Sequence, residues 1–365
     1  MGYVTAIKTA IIIFPIVAFL FTVPFMLMQY HKYGSIHKLR VLIIYSFILY
    51  MMVIYFLVIL PLPKRSSIVT NFGDNMQLQP FNFVTDFLKG TSFKINDVHT
   101  YLKALKEPYF YTVIFNIFIT IPFGMYLRYY YKCSFEKVVV LSFLLRLFFE
   151  LTQLTGLYFI YPGPYRLFDV DDLILNTTGG CLGYALMGLF RNLLPTRDKI
   201  DADSLRDGEI VSGLRRVTLF GFDSFLYLIL SLFLSIIFDL PHLMWIIFIV
   251  YFGLIPGIFK GKTIGGSFLK VRLEFPNNSF IRMLILNIFK YFYYLGIPIL
   301  MVITSYNFVH YFSLGPKLSI LTYLGFLGLI LLYYLINFLV ITIKGNMFYD
   351  SLFKANIRST INEVD

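Results

Sequence analysis

Charge is scarce in this sequence. Only 14% of its 365 residues are Asp, Glu, Lys or Arg, against roughly a quarter in a soluble globule. The shortfall excludes a pair of water-soluble domains, because apolar residues make up 58% and the mean hydropathy is +0.75. Cysteine is almost missing. Cys133 stands in a polar loop and Cys181 in an apolar run, so neither a disulfide framework nor a zinc site is indicated. Internal repeats and low-complexity tracts are also lacking, which weighs against an inverted-repeat transporter. Acids are outnumbered, 20 against 31 basic residues, for a net charge of +11. A nucleic-acid binder would gather that charge on one soluble face. Here it is dealt out among short loops between apolar runs, so membrane lipids, with anionic headgroups, are the expected partner and nucleic acid is not.

What is abundant is apolar and aromatic surface, with 41 Phe and 28 Tyr. Rings in such numbers suit packing among membrane helices and seats at headgroup level. A bilayer core needs about 20 consecutive apolar residues per helix. Nine runs qualify, at about 10–29, 41–60, 109–127, 138–160, 172–194, 217–238, 242–259, 283–303 and 318–343. The first ends at Met28-Gln29 with no small-residue cleavage pattern, so it is expected to be a retained span and not a leader. The fold expected is an all-α polytopic bundle.

Loop charge orients it. With the N-terminus outside, 20 Lys and Arg fall in loops on the cytoplasmic side and 9 on the other, which by the positive-inside rule places the C-terminus in the cytoplasm. Arg146 and Lys290 lie inside spans. The mixed-charge stretch 196–215 reads as a cytoplasmic linker between membrane domains of five spans (1–195) and four spans (216–365). The outer segment 61–108 alternates apolar and polar residues. It is expected to hold either a short interfacial helix or a solvated loop.

Polar residues concentrate at one place in the first half. Arg146, Glu150 and Gln153 are spaced to share a helix face, and charge in hydrocarbon must turn inward and pair. After the break YPGPYR come Arg166, Asp169, Asp171, Asp172 and Asn176, then Gly179, Gly180 and Gly183. One Asp would serve to cap a helix start. Three, beside buried partners, point to a site in the outer half of the membrane. Gly179-xxx-Gly183 lets a neighbouring helix approach closely.

At these residues the chain resembles the VanZ family. QPFNFV around Asn82, NIFITIPFG from Asn116, RLFFELTQ from Arg146 and YRLFDVDDLILNTTGGCLG from Tyr165 carry the resemblance over about 40–195. It implies a bacterial membrane protein associated with teicoplanin-type resistance, with no established reaction and no cofactor. The family's polar positions fall here on Glu150, Gln153, Arg166, Asp169, Asp171, Asp172 and Asn176.

The second half carries Arg216, then Asp223 about two turns into an apolar helix, GKTIGG from Gly261, and Asp350 after the last span. GKTIGG lacks the spacing of a phosphate-cradling loop and follows no soluble strand. The order resembles the RDD family over about 210–355, with Arg216, Asp223 and Asp350 at its namesake positions and Tyr349 where a His often precedes the final Asp. The family includes members with proposed transport roles.

Three functions follow. The leading expectation is a non-enzymatic protein of the bacterial cytoplasmic membrane that engages cell-wall lipid intermediates or lipoglycopeptides. The second is a transporter using Asp223 and the Arg146/Glu150 pair. The third is a lipid-phosphate enzyme, with a divalent cation on Asp169, Asp171 and Asp172 and Glu150 as general base.

Overall fold

The computed structural model describes residues 2–68, 73–190, 193–240, 243–275 and 280–363. Arg191, counted above among the cytoplasmic-side cations, and the span ends at 191–192 and 242 lie outside the described residues. The backbone divides into two compact units, 1–20 with 38–200 and 21–37 with 201–365. The division falls inside the stretch read as a linker, most of which is a helix, Arg197–Gly208. The second unit also takes in 21–37, which the sequence reading gave to the first half.

In the first unit the principal helices beyond α1 (Gly2–Tyr33), which both units share, are α2 (Lys38–Ile59), α3 (Asn82–Gly90), α4 (Pro108–Tyr129), α5 (Phe135–Leu154) and α6 (Val170–Leu189). Pro108 opens α4 where a missing amide costs nothing. Asp169 caps α6 by accepting the amide of Asp171. Helix α5 stops short of the expected residue 160, because Gly156, Leu157 and Tyr158 adopt left-handed backbone. Helices α4 and α6 pack backbone to backbone. A Cβ on Gly179 or Gly183 would lie 2.1 or 2.0 Å from the carbonyl oxygens of Ile117 and Ile121, and one on Gly124 would lie 2.0 Å from that of Gly180. Ile54, Val58 and Ile59 of α2 bury against Phe149 of α5.

The second unit holds α7 (Gly213–Phe238), α8 (Leu243–Ile258), α9 (Ile264–Phe268), α10 (Phe280–Tyr311), α11 (Pro316–Lys344) and α12 (Phe348–Leu352). Helices α8 and α10 each widen into a π turn, at Val250–Leu254 and Phe292–Gly296. The core gathers Leu273, Phe275, Met283, Leu286, Ile341 and Met347.

The all-helical expectation omits two short pairings. Met76–Gln77 (β1) runs parallel to Phe168–Asp169 (β2), and Val271–Glu274 (β3) antiparallel to Asn356–Ser359 (β4). Such ladders satisfy backbone groups that leave the helices. Among the described residues six helices are long and apolar enough to cross a membrane: α1, α2, α4, α7, α10 and α11. The other three expected spans are helical, but α8 is shorter and α5 and α6 carry the polar side chains.

Candidate functional site

Arg146 projects from α5 into the protein, where its guanidinium pairs with Glu150 one turn along at 2.5 Å and with Asp172 of α6. Asn116 of α4 donates to the second oxygen of Asp172 at 2.6 Å. Three helices are thereby tied through one carboxylate. Glu150 is fully buried and accepts the amide of Asp169 at 3.0 Å. Burying ions is costly unless they are paired and hydrogen-bonded, and this network supplies both.

Asp171 faces the other way. Its buried carboxylate accepts the amides of Phe81 at 2.6 Å and Phe83 at 2.7 Å. These flank the first residue of α3, so Asp171 caps that helix from a distant part of the chain, where Phe81 itself is left-handed and has no capping side chain. Gln77 reaches both Asp169 (3.3 Å) and Asp171 (3.4 Å). Burial pushes the Asp169 carboxyl up to about 6, the Asp171 amide opposes the shift, and the neighbouring charges of Asp172 and Asp171 add to it.

Gln153 and Arg166 belong to a separate arrangement. Both donate to the carbonyl of Val58 at 2.7 Å, and Arg166 also donates to Leu60 at 2.9 Å. They satisfy carbonyls at the end of α2, where a cation also suits the helix dipole. Asn176 bonds back to the Asp172 carbonyl, and its own carbonyl receives the Thr120 hydroxyl of α4 at 2.7 Å. It therefore serves the α4–α6 contact together with the glycines.

Residues 47–191 match the family model described as VanZ/LLP1. The chain carries a VanZ-like domain. No curated protein matches the chain. No solved structure matches it either. The VanZ-like match contains every first-half site residue above, and no comparison supports the RDD-like reading of the second half.

Within the VanZ-like domain the three aspartates do not converge. Asp171 is aimed at amides, Asp172 at Arg146 and Asn116, and Asp169 at its own helix start. Among the described residues no group of three or more His, Cys, Asp or Glu is placed to hold a metal ion. The three carboxylates considered for a divalent cation are thus each engaged by different partners. Sequence reasoning passed over Asn116 as a network member, although an Asn inside an apolar span was the signal. Gln77 and the amides of Phe81 and Phe83 had no comparable signature.

In the second unit Arg216 pairs with Asp350 and donates to the carbonyl of Gly345. Asp223 stands apart, accepting from the Tyr251 hydroxyl (2.8 Å), the Thr263 hydroxyl (2.7 Å) and the Gly265 amide (2.9 Å). GKTIGG is the loop that Asp223 holds. Thr263 caps α9, and a Cβ on Gly265 would sit 2.5 Å from the Asp223 carboxylate. Arg215, not singled out from sequence, is fully buried and donates to the carbonyls of Leu269, Lys270 and Gly208. Tyr349 is buried, its hydroxyl 2.9 Å from that of Tyr294.

Proposed function

We propose that this is a multi-pass protein of a bacterial cytoplasmic membrane, with nine spans and an outside N-terminus, whose VanZ-like domain lowers susceptibility to teicoplanin-type lipoglycopeptides without catalysing a reaction. The partner is the drug's lipid-bearing portion or a cell-wall lipid intermediate, met in the outer leaflet. The observation that carries this reading is the segment from Gln77 to Phe83 leading into α3, a strap that Asp171 anchors at the amides of Phe81 and Phe83. It presents Phe81, Val84 and Leu88 as exposed apolar side chains on and beside the amphipathic helix α3. Half-buried Asp169 and Gln77 border it. Apolar surface next to acids and amides suits an amphiphile that carries hydrogen-bonding groups beside its lipid chain.

Teicoplanin and vancomycin susceptibility of cells expressing wild type, Glu150→Ala or Asp171→Ala at matched membrane levels tests this. Both variants are expected to lose the wild-type effect on teicoplanin. Variants that protect as well as wild type would sink the reading.

A second reading, ion- or proton-coupled transport by an RDD-like second half, draws on Asp223, a carboxylate buried in an apolar helix. Flux into vesicles that Asp223→Asn abolishes would favour it.

A further inference from the structure

The second unit holds a partly open cavity of about 320 Å³, within the range of small-molecule sites. Its wall mixes aromatic and aliphatic side chains, with Phe220, Tyr291, Tyr294 and Tyr349 among the rings. Four charged side chains also line it: Arg216, Asp223, Arg272 and Lys290. Three of them are already matched. Arg216 is paired with Asp350, Asp223 accepts three hydrogen bonds, and Arg272 is paired with Glu274 and Glu363. Lys290 is different. Among the described residues its ammonium makes no direct hydrogen bond or ion pair; it lies 5.7 Å from the ring of Tyr349, and the carboxylates of Asp350 and Asp223 act on it only from beyond ion-pair distance. An ammonium inside a largely apolar cavity of a membrane helix bundle is costly unless an anion meets it.

We infer that this cavity binds a single-chain anionic amphiphile, its carboxylate or phosphate at Lys290 and its apolar body against the apolar wall. Neither sequence resemblance assigns a role to Lys290. An anion alone would leave the apolar wall unused, and an uncharged lipid would leave the ammonium without a direct partner.

Photo-crosslinking of the full-length protein in lipid nanodiscs with diazirine-bearing palmitate tests the inference, with peptide mapping as the readout. Label is expected on peptides spanning α7 and α10. Excess palmitate or lysophosphatidic acid should displace it, while hexadecanol and inorganic phosphate should not. Lys290→Met is expected to lower labelling of those peptides by about thirtyfold or more, as loss of one partner of a desolvated charge pair does, and Lys290→Arg to preserve it. Equal labelling of Lys290→Met and wild type would overturn the site. Displacement by hexadecanol would overturn the anion requirement, and displacement by phosphate would overturn the amphiphile. If Lys290→Met does not fold, Val217→Phe decides. It narrows the apolar part and keeps the ammonium, so undiminished labelling with that variant overturns the cavity as the binding place.

Discussion

Arg146 carries one positive charge and meets two carboxylates, which sets what each of the three is worth. Arg146 and Glu150 are buried and Asp172 is partly so, so removing the guanidinium strands both carboxylates without a counter-ion. Arg146→Met should cost about 3–5 kcal/mol, whereas the neutral triple variant Arg146→Met/Glu150→Gln/Asp172→Asn should recover most of that loss, because uncharged groups escape the desolvation penalty. Thermal unfolding of the full-length protein in detergent reads both. An Arg146→Met protein that melts with wild type would mean that the three charges are not held together. Much of this network was legible in the sequence, since the four-residue spacing of Arg146 and Glu150 and the run of acids after the YPGPYR break both announce it. Its division of labour was not. Whether Asp171 or Asp172 turns toward Arg146 depends on the strap of Gln77 to Phe83 crossing beside α6, and backbone amides leave no mark in a sequence. The same holds for Gln153 and Arg166, whose target is a carbonyl at the end of α2.

Helices α4 and α6 touch through glycines, so their distance is set by backbone and not by interlocking side chains. Gly183→Ala would push a methyl group onto the Ile121 carbonyl, which cannot swing aside as a side chain can. Overpacking of this kind costs about 1–3 kcal/mol. Gly221, in α7, has nothing within 4 Å of where its Cβ would be. Gly221→Ala should therefore be neutral or stabilising by up to about 1 kcal/mol, through helix propensity alone. Melting of the two variants side by side checks the contrast, and equal losses would contradict the packing described. The Gly179-xxx-Gly183 spacing made this contact readable in advance. The end of α5 was not, because the apolar residues Leu157, Tyr158 and Phe159 look like continuing helix and instead take positive φ. The π turns in α8 and α10 are equally silent in a hydropathy pattern, which registers apolar length and not hydrogen-bond register.

At the scale of the whole chain, the helical membrane character and six of the spans were legible, while the sidedness rests on loop charge alone. Among the described residues six of the nine expected spans are helices long and apolar enough to cross a membrane, and in lipid a run of about 20 apolar residues satisfies its backbone best as a helix. The bias of Lys and Arg between loops argues for one orientation, but no internal contact of the protein distinguishes the two faces of a bilayer. The functional reading needs the strap and α3 on the outside, where cell-wall intermediates and drug are met. Cysteine labelling decides this. With Cys133 and Cys181 replaced by Ser, Lys89→Cys in α3 and Ala202→Cys in the helix Arg197–Gly208 each provide one exposed thiol. An impermeant maleimide added to intact cells should label position 89 at once and position 202 only after the membrane is permeabilised. Labelling of position 202 in intact cells, with position 89 protected, would contradict the account.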